Sequence, residues 1–207
     1  MKNIYIIVTI LFSIITKSQT IIDIRDTKYS YLSNTYYDYY KKDLNNLLNP
    51  FQGTYIYTSG NTSFKIVLKK MIKQQIGLHF EDIIIGEYQY IENGIEKINT
   101  LSNIDIIYPD QFFKHNIVGN GIIGNINNRQ WKCPQCNPNE KRLSLIIEDK
   151  LSDRIADLLL RKTIINGKDV IQIKIQNISS KTIDTVNPSS PQLPFTLPIG
   201  EFTMTKQ

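Results

Sequence analysis

The sequence predicts a mainly β protein: an antiparallel up-and-down barrel or strongly curved sheet of about eight short strands, preceded by one short N-terminal helix. Three observations lead there. Apolar residues recur with period two from Phe51 onward. Asn-Gly pairs at 93–94 and 166–167 sit between alternating runs, where tight hairpin turns belong. Strands do not alternate with long amphipathic helices, which disfavours a parallel, doubly wound sheet. A β-sandwich is the alternative.

The N-terminus reads as an export signal. Met1-Lys2-Asn3 is short and basic, Ile4 to Ile15 is apolar except for Thr9 and Ser13, and small residues at 16 and 18 suit signal peptidase. The apolar run is about 12 residues, where a membrane span needs roughly 20. Residues 1–18 are therefore expected to be removed, which leaves no transmembrane segment in the mature chain. Loss of Lys2 and Lys17 lowers the formal net charge from +5 by two. The remaining basic residues are scattered, so a nucleic-acid partner is not expected.

Residues 19–34 show weak periodicity and are expected to be an extended lead-in to a single domain over 35–207. Residues 35–48 are expected to be helical, with Tyr36, Tyr40, Leu44, Leu47 and Leu48 on one face, Asn34 as cap and Asn49-Pro50 as the stop. Strands follow at Gly53–Thr58 and around Phe64, Ile66 and Leu68. Ile83–Ile85 and Tyr88–Tyr90 make the next, with a bulge expected at Gly86 where the inward phase slips. Ile95–Leu101 pairs back across the Asn93-Gly94 turn. Residues 102–128 are the least regular. Strands resume at Arg129–Lys132, at Leu143, Leu145 and Ile147, at Ala156, Leu158 and Leu160, and at Ile171, Ile173 and Ile175. The prolines between 187 and 198 mark an extended loop, and Ile199–Thr205 closes the sheet.

Several stretches resemble an uncharacterised family of secreted proteins from flavobacteria and their relatives: Asn49–Tyr55, Ile85–Leu101, Arg129–Leu145 and Leu197–Met204. That resemblance implies export and β architecture and assigns no activity. Phe51-Gln52-Gly53-Thr54-Tyr55 also resembles the opening of lipocalin-type barrels, with Tyr55 where Trp is usual. It implies a barrel whose closed end is plugged by the aromatic.

Cys133-Pro134-Gln135-Cys136 holds both cysteines of the chain. In an oxidising compartment the pair is expected to form a disulfide. A zinc site would need His79 and His115 as further ligands, and a redox motif would need a helix after the first cysteine. No metal and no cofactor is expected. His79 and His115 would serve a hydrolase only beside an acid and a nucleophile, and the chain has no G-x-S-x-G or H-E-x-x-H. Glu81, Asp82, Glu92, Glu96 and Asp105 are candidate paired carboxylates for sugar hydrolysis. Gly119-x-Gly121-x-x-Gly124 lacks the βαβ setting of a dinucleotide fingerprint.

The expected function is a non-enzymatic binding module for a small apolar or amphipathic ligand, its cavity lined by Tyr55, Phe64, Ile66, Tyr88, Tyr90, Leu145 and Ile173. The second reading is a surface or envelope protein that binds glycan or protein through the tyrosines of 36–40 and the loop 109–128. A hydrolase is the third.

Overall fold

The computed structural model describes residues 19–26, 39–112, 114–181 and 193–207. The expected signal peptide, Asn34 and Tyr36 lie outside these residues. The described chain forms eleven strands: β1 Thr20–Asp23, β2 Tyr39–Lys42, β3 Gly53–Ser59, β4 Thr62–Ile76, β5 His79–Glu92, β6 Ile95–Asn99, β7 Ile117–Ile123, β8 Arg142–Asp149, β9 Arg154–Ile165, β10 Lys168–Ser180 and β11 Gly200–Lys206.

Eight of them close into an antiparallel barrel in the order β5-β4-β3-β11-β10-β9-β8-β7, with β7 returning to β5. Apart from the inserted β6 and the closing β3–β11 pair, neighbours in space are neighbours in sequence, so the barrel is up-and-down, as expected. The seam is short. β11 meets β3 through Thr205↔Ile56 and Lys206↔Tyr55, and Gln207 N donates to Thr54 O at 2.9 Å. The free edge of β5 is shared in succession by β2 at residues 80–81, β7 at 84–86 and β6 at 89–92. Both Asn-Gly pairs turn as expected, with positive φ at each residue (52° and 80°, 51° and 74°).

No α-helix is found among the described residues, only short 3-10 turns at Asn49–Phe51 and Leu101–Asp105. This corrects the expected helix over 35–48 for residues 39–48, since 35–38 lie outside the described residues. Tyr39–Lys42 is a strand that pairs in parallel with β1 and β5. Aromatic residues favour a strand wherever a ladder partner is present, and no local pattern reveals that β5 supplies one. Arg129–Lys132 is also not a strand. Arg142 donates to the carbonyls of Trp131 and Asn125, so a side chain satisfies acceptors that a ladder would otherwise use.

The barrel interior is one cluster of side chains. The phase of β5 does not slip at Gly86. Ile84, Gly86, Tyr88 and Tyr90 point inward throughout, while Ile83 and Ile85 are buried on the outer face by the covering loop. A Cβ at Gly86 would lie 2.7 Å from Leu68 Cδ2 and 2.8 Å from Val67 O, so its bare backbone admits Leu68 to the core. The β4–β5 bulge falls instead between Met71 and Gln74, at Lys73 (φ 51°).

Carboxylates tie down both ends. Asp43 accepts from the amides of Leu47 (2.7 Å) and Leu48 (3.0 Å), which seats Leu48 and Phe51 in the core as a plug. Asp82 accepts from Tyr40 Oη (2.5 Å), Asp43 N (2.9 Å) and Lys73 N (2.9 Å). At the opposite end Asp149 accepts from Ser152 Oγ (2.7 Å) and Thr196 N (2.6 Å), which brings Leu197 into the core.

Candidate binding groove on the outer face

The seven residues expected to line a cavity do converge in the interior. They meet there as packed core. Phe64, Ile66, Tyr88 and Ile173 are 0% exposed, Tyr55 1%, Leu145 2% and Tyr90 6%. Phe64 packs edge-on against both Tyr88 (5.9 Å) and Tyr90 (6.1 Å). Alternation along a strand shows which face turns inward, and it carries no record of whether the facing side chains meet. At the residues the lipocalin-like reading chose, side chains occupy the space.

Among the described residues, two adjoining concavities lie on the outer face. The loop that follows β6 folds back over β5 and β7 and packs the half-buried Ile104 and Phe112 against Ile83, Ile85 and Val118. It is held by a buried polar cluster on Glu87, a fully buried carboxylate on the outer face of β5. Glu87 binds His115 Nδ1 through Oε1 (2.8 Å) and accepts from Asn116 Nδ2 through Oε2, and His115 Nε2 meets Gln111 Oε1 at 2.7 Å. These bonds fix both ends of the segment that carries Phe112.

Two adjoining lobes share Phe112, Val118 and Ile146. The first, about 370 Å³, adds Lys41, His79, Glu81, Asn120, Ser144 and Asp157. The second, about 310 Å³, adds His115, Asn116, Glu148, Ile155 and Lys181. Val118, Ile146 and Asp157 stand in one row across β7, β8 and β9, so the shared floor is the sheet itself.

A bulge shapes the first lobe. β7 spends one residue more than β8 between Val118↔Ile146 and Gly121↔Ser144. Gly119 has φ 146°, and a Cβ there would lie 3.2 Å from Leu145 Cα. A bulge of this kind re-aims a side chain, and here it turns Asn120 toward β5. Asn120 Nδ2 donates to Glu81 Oε2 (2.6 Å) and to Asp82 O (2.9 Å). The other Glu81 oxygen takes His79 Nε2 at 2.8 Å, and the His79 ring stacks on Tyr39 at 4.4 Å between centroids. Burial, then the nearby Glu81 carboxylate, raises the Tyr39 phenol above its ordinary value. Asp157 accepts from Asn177 Nδ2 at 2.7 Å.

Each histidine therefore has an acid partner, but among the described residues no Ser, Thr or Cys hydrogen-bonds either ring. The carboxylates proposed as a hydrolytic pair are spent separately. Asp105 pairs with Lys69 (2.8 Å) and Glu92 with Lys97 (3.6 Å), Glu96 accepts from Gln89, and Asp82 faces the plug. Cys133 and Cys136 are bonded to each other, with Cα atoms 5.3 Å apart. Their loop covers Ile123 and Leu159 through Trp131, and among the described residues the two cysteines and two histidines of the zinc reading do not come together as a metal-holding group. Tyr39 and Tyr40 are buried and offer no exposed aromatic patch.

Lys41, Asn120, Ser144, Ile146, Ile155 and Asp157 were not legible as site residues in the sequence. The one signal was Gly119-x-Gly121, which belongs to a bulge and not to a nucleotide loop.

Fold and site together define an up-and-down antiparallel barrel with a filled interior and a built groove on its outer wall. No helix among the described residues is long and apolar enough to cross a membrane. The chain belongs to DUF6705, a family of unknown function, whose model matches residues 1–207. Neither the curated proteins nor the solved structures contain a match to it.

Proposed function

We propose that this chain is an exported, non-enzymatic binding module that holds a small amphipathic ligand in the outer groove. The single observation that carries the reading is the pair of lobes sharing Phe112, Val118 and Ile146. A ligand site is concave, mostly apolar, and furnished with a few placed polar groups. The groove combines all three. Export is supported by the apolar stretch at 4–15 and by the disulfide, which persists in oxidising compartments.

The test is a fluorescent alkyl probe titrated into the mature chain. Ile146 is partly exposed at 39% and floors both lobes. Ile146→Lys is expected to abolish binding, and Ile173→Val in the interior to leave it unchanged. Loss of binding in Ile173→Val with Ile146→Lys unaffected would return the site to the barrel interior.

A further inference from the structure

The two lobes differ in chemistry, and the difference specifies the ligand. This inference rests on the groove reading above. In the lobe around His115 and Ile155, the floor is Phe112, Val118, Ile146 and Ile155, and the flanking Glu148 carboxylate is already engaged by Lys150 (2.5 Å) and Lys181 (2.7 Å). That surface suits an alkyl segment.

The other lobe sets polar side chains of both signs, Lys41 against Glu81 and Asp157, around the shared apolar floor. Glu81 has one oxygen on His79 and the other on Asn120, and Asp157 is bonded by Asn177. A cationic head would face Lys41, and an anionic head would face Glu81 and Asp157. The lobe still offers a mixed set. Lys41 and Ser144 can donate, Asn120 Oδ1 can accept because Nδ2 makes the bonds to β5, and the second nitrogen of His79 stays open while Nε2 serves Glu81. A hydroxyl both donates and accepts, so one kind of group satisfies every member of this set.

We infer that the groove takes a neutral, polyhydroxylated head joined to an alkyl chain, a glycolipid-like amphiphile, with the head in the Lys41–His79–Asn120 lobe and the chain over Ile146 and Ile155.

The experiment is calorimetric titration of the mature chain, below micelle formation, with octyl β-glucoside, methyl β-glucoside, octanoate and octyltrimethylammonium. Octyl β-glucoside is expected to bind about tenfold or more tightly than each of the others. Asn120→Ala is expected to weaken octyl β-glucoside and leave octanoate unchanged, which also reports that the fold survives. Lys41→Met, on a strand outside the barrel ring, is expected to act in the same sense. Ile155→Asn is expected to weaken all three octyl probes alike. Equal affinity for the three octyl probes, still lost in Ile155→Asn, would overturn the head-group inference and leave the groove standing. No binding of any octyl probe, or binding indifferent to Ile155→Asn, would overturn both.

Discussion

At the scale of single residues, two glycines do different work. Gly86 is a packing vacancy: its missing Cβ is where Leu68 sits, within 2.7 Å. Gly86→Ala is expected to destabilise the fold by about 1–3 kcal/mol through overpacking, read as a lower denaturant midpoint with an unchanged slope. Gly119 is a conformational site, and its φ of 146° permits the bulge that aims Asn120. The buried tyrosines supply a pH prediction. Burial pushes the Tyr55 phenol up to about 12 and raises Tyr88 further, while burial and the Asp82 carboxylate do the same for Tyr40. A phenol raised in the folded state favours folding fully below its unfolded value and loses that contribution as pH climbs through the folded one. Stability is therefore expected to fall from about pH 10 upward, with tyrosinate absorbance from these residues appearing together with unfolding. Ionisation of all the tyrosines in a still-folded chain would contradict this. Inward phase was readable from sequence for Tyr88 and Ile173. Glu87, His115 and Asn116 were not, because their burial depends on a loop brought over β5 from outside the local pattern.

At the scale of elements, the disulfide loop packs on the barrel wall at Ile123 and Leu159 through Trp131. Cys133 N donates to Ile126 O at 2.8 Å, and the guanidinium of Arg142 lies 5.8 Å from the Trp131 ring. The closed loop is only four residues, so the chain-entropy estimate for the bond is about 2 kcal/mol. Replacing both cysteines with serine is expected to lower stability by about that amount, to shift Trp131 fluorescence and to leave groove binding intact. Loss of binding would mean that the two regions are coupled. The strands with Asn-Gly turns and clean alternation, β9 and β10 above all, were legible because their signals are local. β2 and β7 were not. β2 is specified by its partner, and the glycines and asparagine that make β7 useful are the residues that hide it as a strand.

At the scale of the whole molecule, the barrel depends on one light seam. β11 contributes Met204 to the core and pairs with β3 in register at only two positions, beside the ring contact of Tyr57 with Phe202 (4.9 Å between centroids). A chain ending at Ile199 is expected to lose cooperative unfolding, because β3 and β10 would become open edges. A sharp two-state transition in that truncated chain would show that closure is dispensable. The up-and-down topology was predictable since it follows from hairpins in sequence order. The filled interior was not, since a hollow and a solid barrel share one alternation pattern. The groove depends on a long loop lying across the outer wall, and no periodicity reports that.

Methyl NMR of the isoleucine-labelled chain titrated with octyl β-glucoside locates binding at the outer wall most directly. The expected result is saturable shifts at Ile146 and Ile155, with Ile66, Ile171 and Ile173 unmoved. Shifts confined to those three interior isoleucines, with Ile146 and Ile155 silent, would place the ligand inside the barrel and contradict binding in the outer groove.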